Sequence, residues 1–163
     1  MKKLTLGIIG PSRAGKDEAA EWFVNHCGLK YNGTTSVVIS RKVAMREGIT
    51  FAQAHAQRHE RKMYWRALGD KLRANDPAYL AKEILNPDSN LLVGVRARIE
   101  MIEVRRLKLC DLVIWVDRDV PNDPTLEFGP ELCDIVIQNR WDVPSYHSRL
   151  EKLALALGLE VSG

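Results

Sequence analysis

Residues 4–20 read LTLGIIGPSRAGKDEAA: an apolar run, a glycine-bounded loop, and the first turn of a new periodicity. Leu4, Leu6, Ile8 and Ile9 lack helical spacing and stop at Gly10-Pro11, which predicts a short buried strand. From Lys16 onward, Ala19, Ala20, Phe23 and Cys27 recur at three- and four-residue steps, predicting a helix that ends near Gly28. Between the two lies Gly10-Pro11-Ser12-Arg13-Ala14-Gly15-Lys16-Asp17, with the spacing G-x-x-x-x-G-K and Asp where Ser or Thr usually follows. Glycines let backbone N–H groups turn inward, the helix N-terminus adds positive potential, and a Lys ammonium neutralises phosphate. The bare pattern arises by chance in roughly one chain of this length in twenty. Its position, after a strand and at the start of a helix, is what makes it a phosphate loop. The nucleotide-binding set is therefore Gly10, Ser12, Arg13, Ala14, Gly15, Lys16 and Asp17. Asp17 has two readings: a carboxylate that holds Mg²⁺ directly or through water, or an ordinary first-turn acid favoured by the helix dipole.

Outward from the loop, Val37-Val38-Ile39 predicts a second strand followed by Arg41. Met63, Tyr64, Ala67, Leu68 and Leu72 predict one face of an amphipathic helix. Asn75-Asp76-Pro77 is a cap with proline at the first helical position, opening a helix through about Leu85. Leu91-Leu92-Val93 predicts a third strand; Ile99, Ile102 and Leu107 a crossover helix; Leu112 to Val116 a fourth strand; Ile135-Val136-Ile137 a fifth. Pro144 opens a last helix with Leu150, Leu153, Ala154 and Leu157 on one face. Apolar strands alternating with amphipathic helices predict an α/β protein, a P-loop NTPase-like three-layer αβα fold with a five-stranded, mostly parallel sheet. Ligands of such a sheet bind at the carboxyl ends of its strands. The expectation is a single domain over residues 1–163, with a helical segment at about 45–86 and a short lid at about 118–131, rich in Pro, Asp and Asn.

The totals narrow the classes. A chain of 163 residues, 45% hydrophobic and 28% charged, suits one globular domain and excludes a disordered one. Its net charge of +3 suits phosphate-bearing ligands without marking a nucleic-acid binder, and no recognition motif accompanies it. Cys27, Cys110 and Cys133 are scattered, which fits small buried hydrophobes better than a disulfide framework or a zinc site. Met1-Lys2-Lys3 and the apolar run resemble the opening of a signal peptide. The run is too short, and Arg13 and Lys16 follow without a small-residue cleavage site. The expected location is the cytoplasm, with no membrane partner.

With those residues in view, the chain resembles the phage-type deoxynucleoside monophosphate kinases, within the P-loop nucleotide-kinase group. That family commonly carries Asp after the loop Lys, as Lys16-Asp17 does. Arg66-Ala67-Leu68-Gly69-Asp70-Lys71-Leu72-Arg73 followed by Asn75-Asp76-Pro77 looks like its substrate-side segment. Val93-Gly94-Val95-Arg96 through Glu100 is similar to its strand-end Asp-Val-Arg segment closed by Glu. Ile114-Trp115-Val116-Asp117-Arg118 resembles its strand leading into a lid, and Asp134-Ile135-Val136-Ile137-Gln138-Asn139 its closing strand. The resemblance implies ATP and Mg²⁺ as cofactors and nucleotides as substrates. It implies Lys16, Arg96 and Arg118 as catalytic cations, Asn139 beside the nucleotide, Arg41, Arg66, Asp70, Arg73 and Glu100 on the acceptor side, and Asp17 at the metal. One departure stands out. The family's strand-end Asp is replaced here by Val93 and Gly94, so that either Asp17 carries the metal, or another acid such as Asp117 reaches in, or catalysis is weakened.

Bland readings accompany several of these residues. Arg96 and Arg118 also suit surface loop cations, and most charges on the 62–73 helix suit a solvated face. His55 and His59, four apart, lack a third ligand and read as surface histidines. Trp22, Trp65, Trp115 and Trp141 suit packing better than base stacking. The rivals to a monophosphate kinase are a P-loop kinase of another small acceptor and a nucleotide-binding or sensing module without turnover. A homodimer is an option by analogy with small kinases that pair through exposed helices.

Overall fold

Leu6–Ile9 is buried at every position and hydrogen-bonds on both sides, so the first strand is an interior strand of the sheet. The computed structural model describes residues 4–85 and 88–163; Met1-Lys2-Lys3 and residue 86, the end expected for the helical segment, lie outside them. The elements are β1 (Leu6–Ile9), α1 (Lys16–Cys27), α2 (Thr35–Glu47), α3 (Phe51–Ala56), α4 (Lys62–Arg73), α5 (Tyr79–Ile84), β2 (Leu91–Val93), α6 (Arg98–Arg106), β3 (Leu112–Asp117), β4 (Ile135–Gln138) and α7 (Val143–Ala156). A single 3-10 turn at Pro130–Leu132 precedes β4.

The strands run β2-β1-β3-β4, all parallel, with Leu6 opposite both Leu91 and Leu112, and Ile114 opposite Ile135. Because side chains alternate across a sheet, β1 feeds two cores. Leu6 and Ile8, with Val93, Ile114 and Val116, meet Phe23 of α1 and Tyr146 and Leu150 of α7. Ile9, Leu92, Val113 and Trp115 meet α2, α4, α5 and α6 through residues such as Ile39, Trp65, Leu80 and Met101. The result is a parallel sheet covered by helices on both faces. No helix among the described residues is long and apolar enough to cross a membrane.

The sheet has four strands among the described residues, not the expected five. Val37-Val38-Ile39 lies inside α2, which runs to a left-handed cap at Gly48. Helical propensity disfavours Val and Ile by no more than about 0.7 kcal/mol each. Burying Val38, Ile39 and Val43 on one helical face contributes roughly 1.5–3 kcal/mol each, so packing wins. Arg41 accordingly sits exposed within α2 instead of following a strand. The sequence reading also passed over α3, which is opened by a reciprocal capping box between Thr50 and Gln53.

Two helices are rotated from their expected faces. In α4 the buried residues are Trp65, Leu68 and Gly69, while Met63 and Ala67 are exposed. In α6, Glu100, Met101 and Val104 face inward, and Ile99, Ile102 and Leu107 face solvent. The helix opened at Asp76 is shorter than predicted: Asp76 accepts from the Ala78 N–H at 3.0 Å, and α5 begins only at Tyr79. The inward face of α6 gives a direct check by urea denaturation. Met101→Ala is expected to destabilise the protein by about 2–5 kcal/mol, and Ile102→Ala by less than about 1 kcal/mol.

Candidate phosphate-binding site

The loop from Gly10 to Lys16 leaves the end of β1 and enters α1, and two glycines make its path possible. A Cβ at Gly10 would lie 2.8 Å from the Val116 carbonyl oxygen of β3, so only glycine lets the chain pass there. Gly15 has φ of 104°, and a Cβ on it would lie 2.5 Å from Asn139 Nδ2 and 3.2 Å from the Tyr146 ring. Those two side chains fasten the loop from outside. Asn139 Nδ2 donates to the Ala14 carbonyl at 2.8 Å, and the Tyr146 hydroxyl donates to the Gly15 carbonyl at 2.8 Å. Arg13, at the crown of the loop, is also left-handed with φ of 69°.

Lys16 reaches back across the loop, and its Nζ donates to the carbonyls of Gly10 at 2.9 Å and Pro11 at 2.8 Å. Burial, and after it the Arg96 guanidinium, lowers its pKa to about 8, with Asp17 and Asp123 pulling the other way. The ammonium is thus held over the loop without a carboxylate in direct contact.

The carboxyl ends of the other strands converge on this loop. Arg96, after β2, donates from Nη2 to Ser12 Oγ at 3.1 Å and from Nη1 to Asp123 Oδ2 at 2.5 Å and Thr125 Oγ1 at 2.8 Å. Arg118, after β3, donates to the Arg13 carbonyl at 3.1 Å. Asn139 follows β4. Gly10, Ser12, Arg13, Ala14, Gly15, Lys16, Arg96, Arg118 and Asn139 therefore form one constellation.

Asp17, in the first turn of α1, is exposed and has no hydrogen-bond or ion-pair partner among the described residues. A free carboxylate beside a phosphate loop fits the way Mg²⁺ is held, by one or two carboxylates together with phosphate oxygens and water. Asp17 also borders a shallow cavity of about 630 Å³ lined by Glu21, Val24, Leu29, Lys30, Tyr31 and Asn32. Asp117 is differently placed: both its oxygens accept from Arg140, at 3.0 and 3.2 Å.

The acceptor-side candidates are not gathered in the same way. Arg41 and Arg66 are exposed on α2 and α4, and Asp70 pairs with Arg73 at 2.9 Å. Glu100 is 1% exposed, so it is not open to a substrate in this conformation. It lies against Arg73 with its Oε2 unpartnered, and the Arg73 Nε is likewise buried without a partner. His55 packs inside the helical layer, its Nδ1 2.9 Å from Ser40 Oγ and its ring stacked on Phe51. Trp22, Trp65 and Trp115 are buried in the two cores, while Trp141 stands half exposed beneath Arg149.

The sequence reading passed over Asp123, Thr125 and Tyr146. Asp123-Pro124-Thr125 reads as a turn, and nothing in its spacing announces a contact with a loop 111 residues away. Tyr146 lies one turn into α7, ahead of the Leu150, Leu153, Ala154 and Leu157 face read from the sequence. No protein-family model and no curated protein sequence matches the chain.

Burial of Glu100 has a consequence for stability. Burial raises its pKa from the ordinary 4.5 to about 7, opposed by Arg73. A carboxyl with a raised folded-state pKa binds its proton more tightly in the folded chain. Folding is therefore penalised progressively as the pH rises from 4.5 to about 7, with the full penalty above that. Glu100→Gln is expected to be more stable than the native protein at pH 8 by about 1–3 kcal/mol. It is also expected to flatten the decline between pH 4.5 and 7, as read by chemical denaturation across that range.

Proposed function

We propose that the protein is an ATP-dependent phosphotransferase acting on nucleoside or deoxynucleoside monophosphates. The observation that carries this reading is the glycine-turned loop, fastened by Asn139 and Tyr146, crossed by Lys16, with Arg96 and Arg118 brought to it from separate strands. Phosphoryl transfer asks a protein for positioning and positive charge more than for covalent chemistry. In this mechanism the loop amides and the N-terminus of α1 hold the donor phosphates, and Lys16 neutralises charge between the outer two. Arg96 orients the acceptor phosphate, whose oxygen attacks the γ-phosphorus in line as the bond to the β–γ bridging oxygen breaks and ADP departs. Arg118 stabilises charge on the transferring group. Asp17, together with phosphate oxygens, would hold Mg²⁺, which would supply further charge neutralisation. The segment after Arg118 is the candidate lid of the site.

A second reading, a nucleotide-binding module without turnover, is favoured by one observation. Val93 and Gly94 close β2 without an acid, and Asp117 at the end of β3 is engaged by Arg140. Mg²⁺-dependent ADP release from ATP, scanned across the ribo- and deoxynucleoside monophosphates, separates the two. Turnover with one or a few monophosphates is expected, reduced roughly 10²–10³-fold in Lys16→Ala. ATP binding with no ADP release across the panel would favour the binding module.

The pKa of Lys16 adds a test of the site itself. ATP phosphates favour the ammonium form, so binding near pH 8 should take up protons, and affinity should fall as the pH rises above about 8. Calorimetry in two buffers of different ionisation enthalpy measures the uptake, which Lys16→Ala should abolish.

A further inference from the structure

The donors at the tip of the phosphate loop are already occupied by the protein's own anion. Asp123 lies between β3 and β4, and its Oδ2 accepts from the Ser12 backbone N–H at 3.0 Å, from Ser12 Oγ at 3.1 Å and from Arg96 at 2.5 Å. Its Oδ1 accepts from the Thr125 N–H at 3.1 Å and from Thr125 Oγ1 at 2.6 Å. The side chain is 8% exposed. Burial alone would raise its pKa, but hydrogen bonds from Thr125, Arg96 and the Ser12 N–H hold the carboxyl well below its ordinary range. A loop amide, a hydroxyl and a guanidinium are the donor types that bind a phosphoryl oxygen. A carboxylate left among them would repel an incoming phosphate.

The segment is held differently at its two ends. Its far end is anchored by the Glu127 N–H on the Arg96 carbonyl at 2.9 Å, by the Arg98 N–H on Glu127 Oε1 at 3.1 Å, and by Phe128 in the core. Its tip is different: Pro121, Asn122 and Pro124 are exposed, and Asp123 is held by polar contacts only. Thr125 forms a turn with Asp123, so the two can move as a unit.

We infer that Asp123 is a built-in competitor for a phosphoryl subsite made by the Ser12 N–H, Ser12 Oγ and Arg96. A phosphoryl group entering that subsite displaces the carboxylate and frees the tip of the 119–125 segment, so phosphate binding and lid release are one event. This rests on the phosphate-loop reading above. It adds that the free protein is held shut by an internal anion, and that Arg96 changes partner when ligand arrives.

The test compares the native chain with Asp123→Asn and Asp123→Ala, each confirmed folded by its thermal transition, using inorganic tripolyphosphate and MgATP as probes in calorimetry. Asparagine keeps the size of the side chain and its turn with Thr125 but removes the charge. Both variants are expected to bind tripolyphosphate about tenfold more tightly than the native protein. In the native protein, tripolyphosphate should accelerate hydrogen exchange in residues 119–125. Equal or weaker binding by the folded variants, or slower exchange in that segment on binding, overturns the inference and would mark Asp123 as a group that holds the ligand. If the native protein binds ATP through Lys16 and the variants bind no more tightly, only this inference falls. If neither native nor variant protein binds tripolyphosphate or ATP, the phosphate-loop reading falls with it.

Discussion

Asn139 and Tyr146 hold the carbonyls of Ala14 and Gly15 from behind, and the geometry of the loop depends on that hold. A loop with left-handed residues at Arg13 and Gly15 has many alternatives in an unfolded chain, and each ordered residue costs about 1–2 kcal/mol of backbone entropy. Fastening two successive carbonyls to β4 and α7 offsets part of that cost. Lys16 then spans the same loop from the front, so the chain between β1 and α1 is clamped between its own lysine and the last layer of the fold.

The charges around this loop are balanced without being neutralised pair by pair. Among the described residues, Lys16 hydrogen-bonds only to carbonyls, Arg118 to a carbonyl, and Asp17 has no hydrogen-bond or ion-pair partner. Arg96 alone meets a carboxylate. Neighbouring cations depress one another's proton affinity, which is why Arg96 is, after burial, the second cause of the lowered pKa of Lys16, with Asp17 and Asp123 opposing it. A phosphate chain would supply the missing negative charge. Holding such unpaired charge costs stability.

Away from the loop, the helical layer over the other face of the sheet carries a different strain. Glu100 and Arg73 approach one another from α6 and α4, each with a buried atom left unpartnered. Both α4 and α6 have faces rotated from those their most apolar residues suggest. On α6, Ile99 and Ile102 are given to solvent while a carboxylate is buried, a choice that apolar burial alone would reverse. The layer therefore buries a carboxyl group that only the charge of Arg73 offsets.

Local signals in the sequence were enough for the elements that carry the Gly10–Lys16 loop. The apolar run ending at Gly10, the G-x-x-x-x-G-K spacing and the helical period from Lys16 each act over a few residues, and backbone sterics translate them directly into structure. The parallel α/β architecture and the placing of Arg96 and Arg118 after strands followed from the same alternation, whereas Asn139 was singled out by the family resemblance. What only the tertiary structure decided depends on partners distant in the chain. Val37-Val38-Ile39 became helix because its neighbours at Val43 and Ala44 completed a face against α4 and α5. Asp123 reached Ser12 because the parallel order β2-β1-β3-β4 sets the ends of β1 and β3 side by side. Short-range spacing encodes which way a backbone turns. Which side chain fills the space beside that turn is set by packing and charge between segments more than a hundred residues apart, and no local pattern carries it.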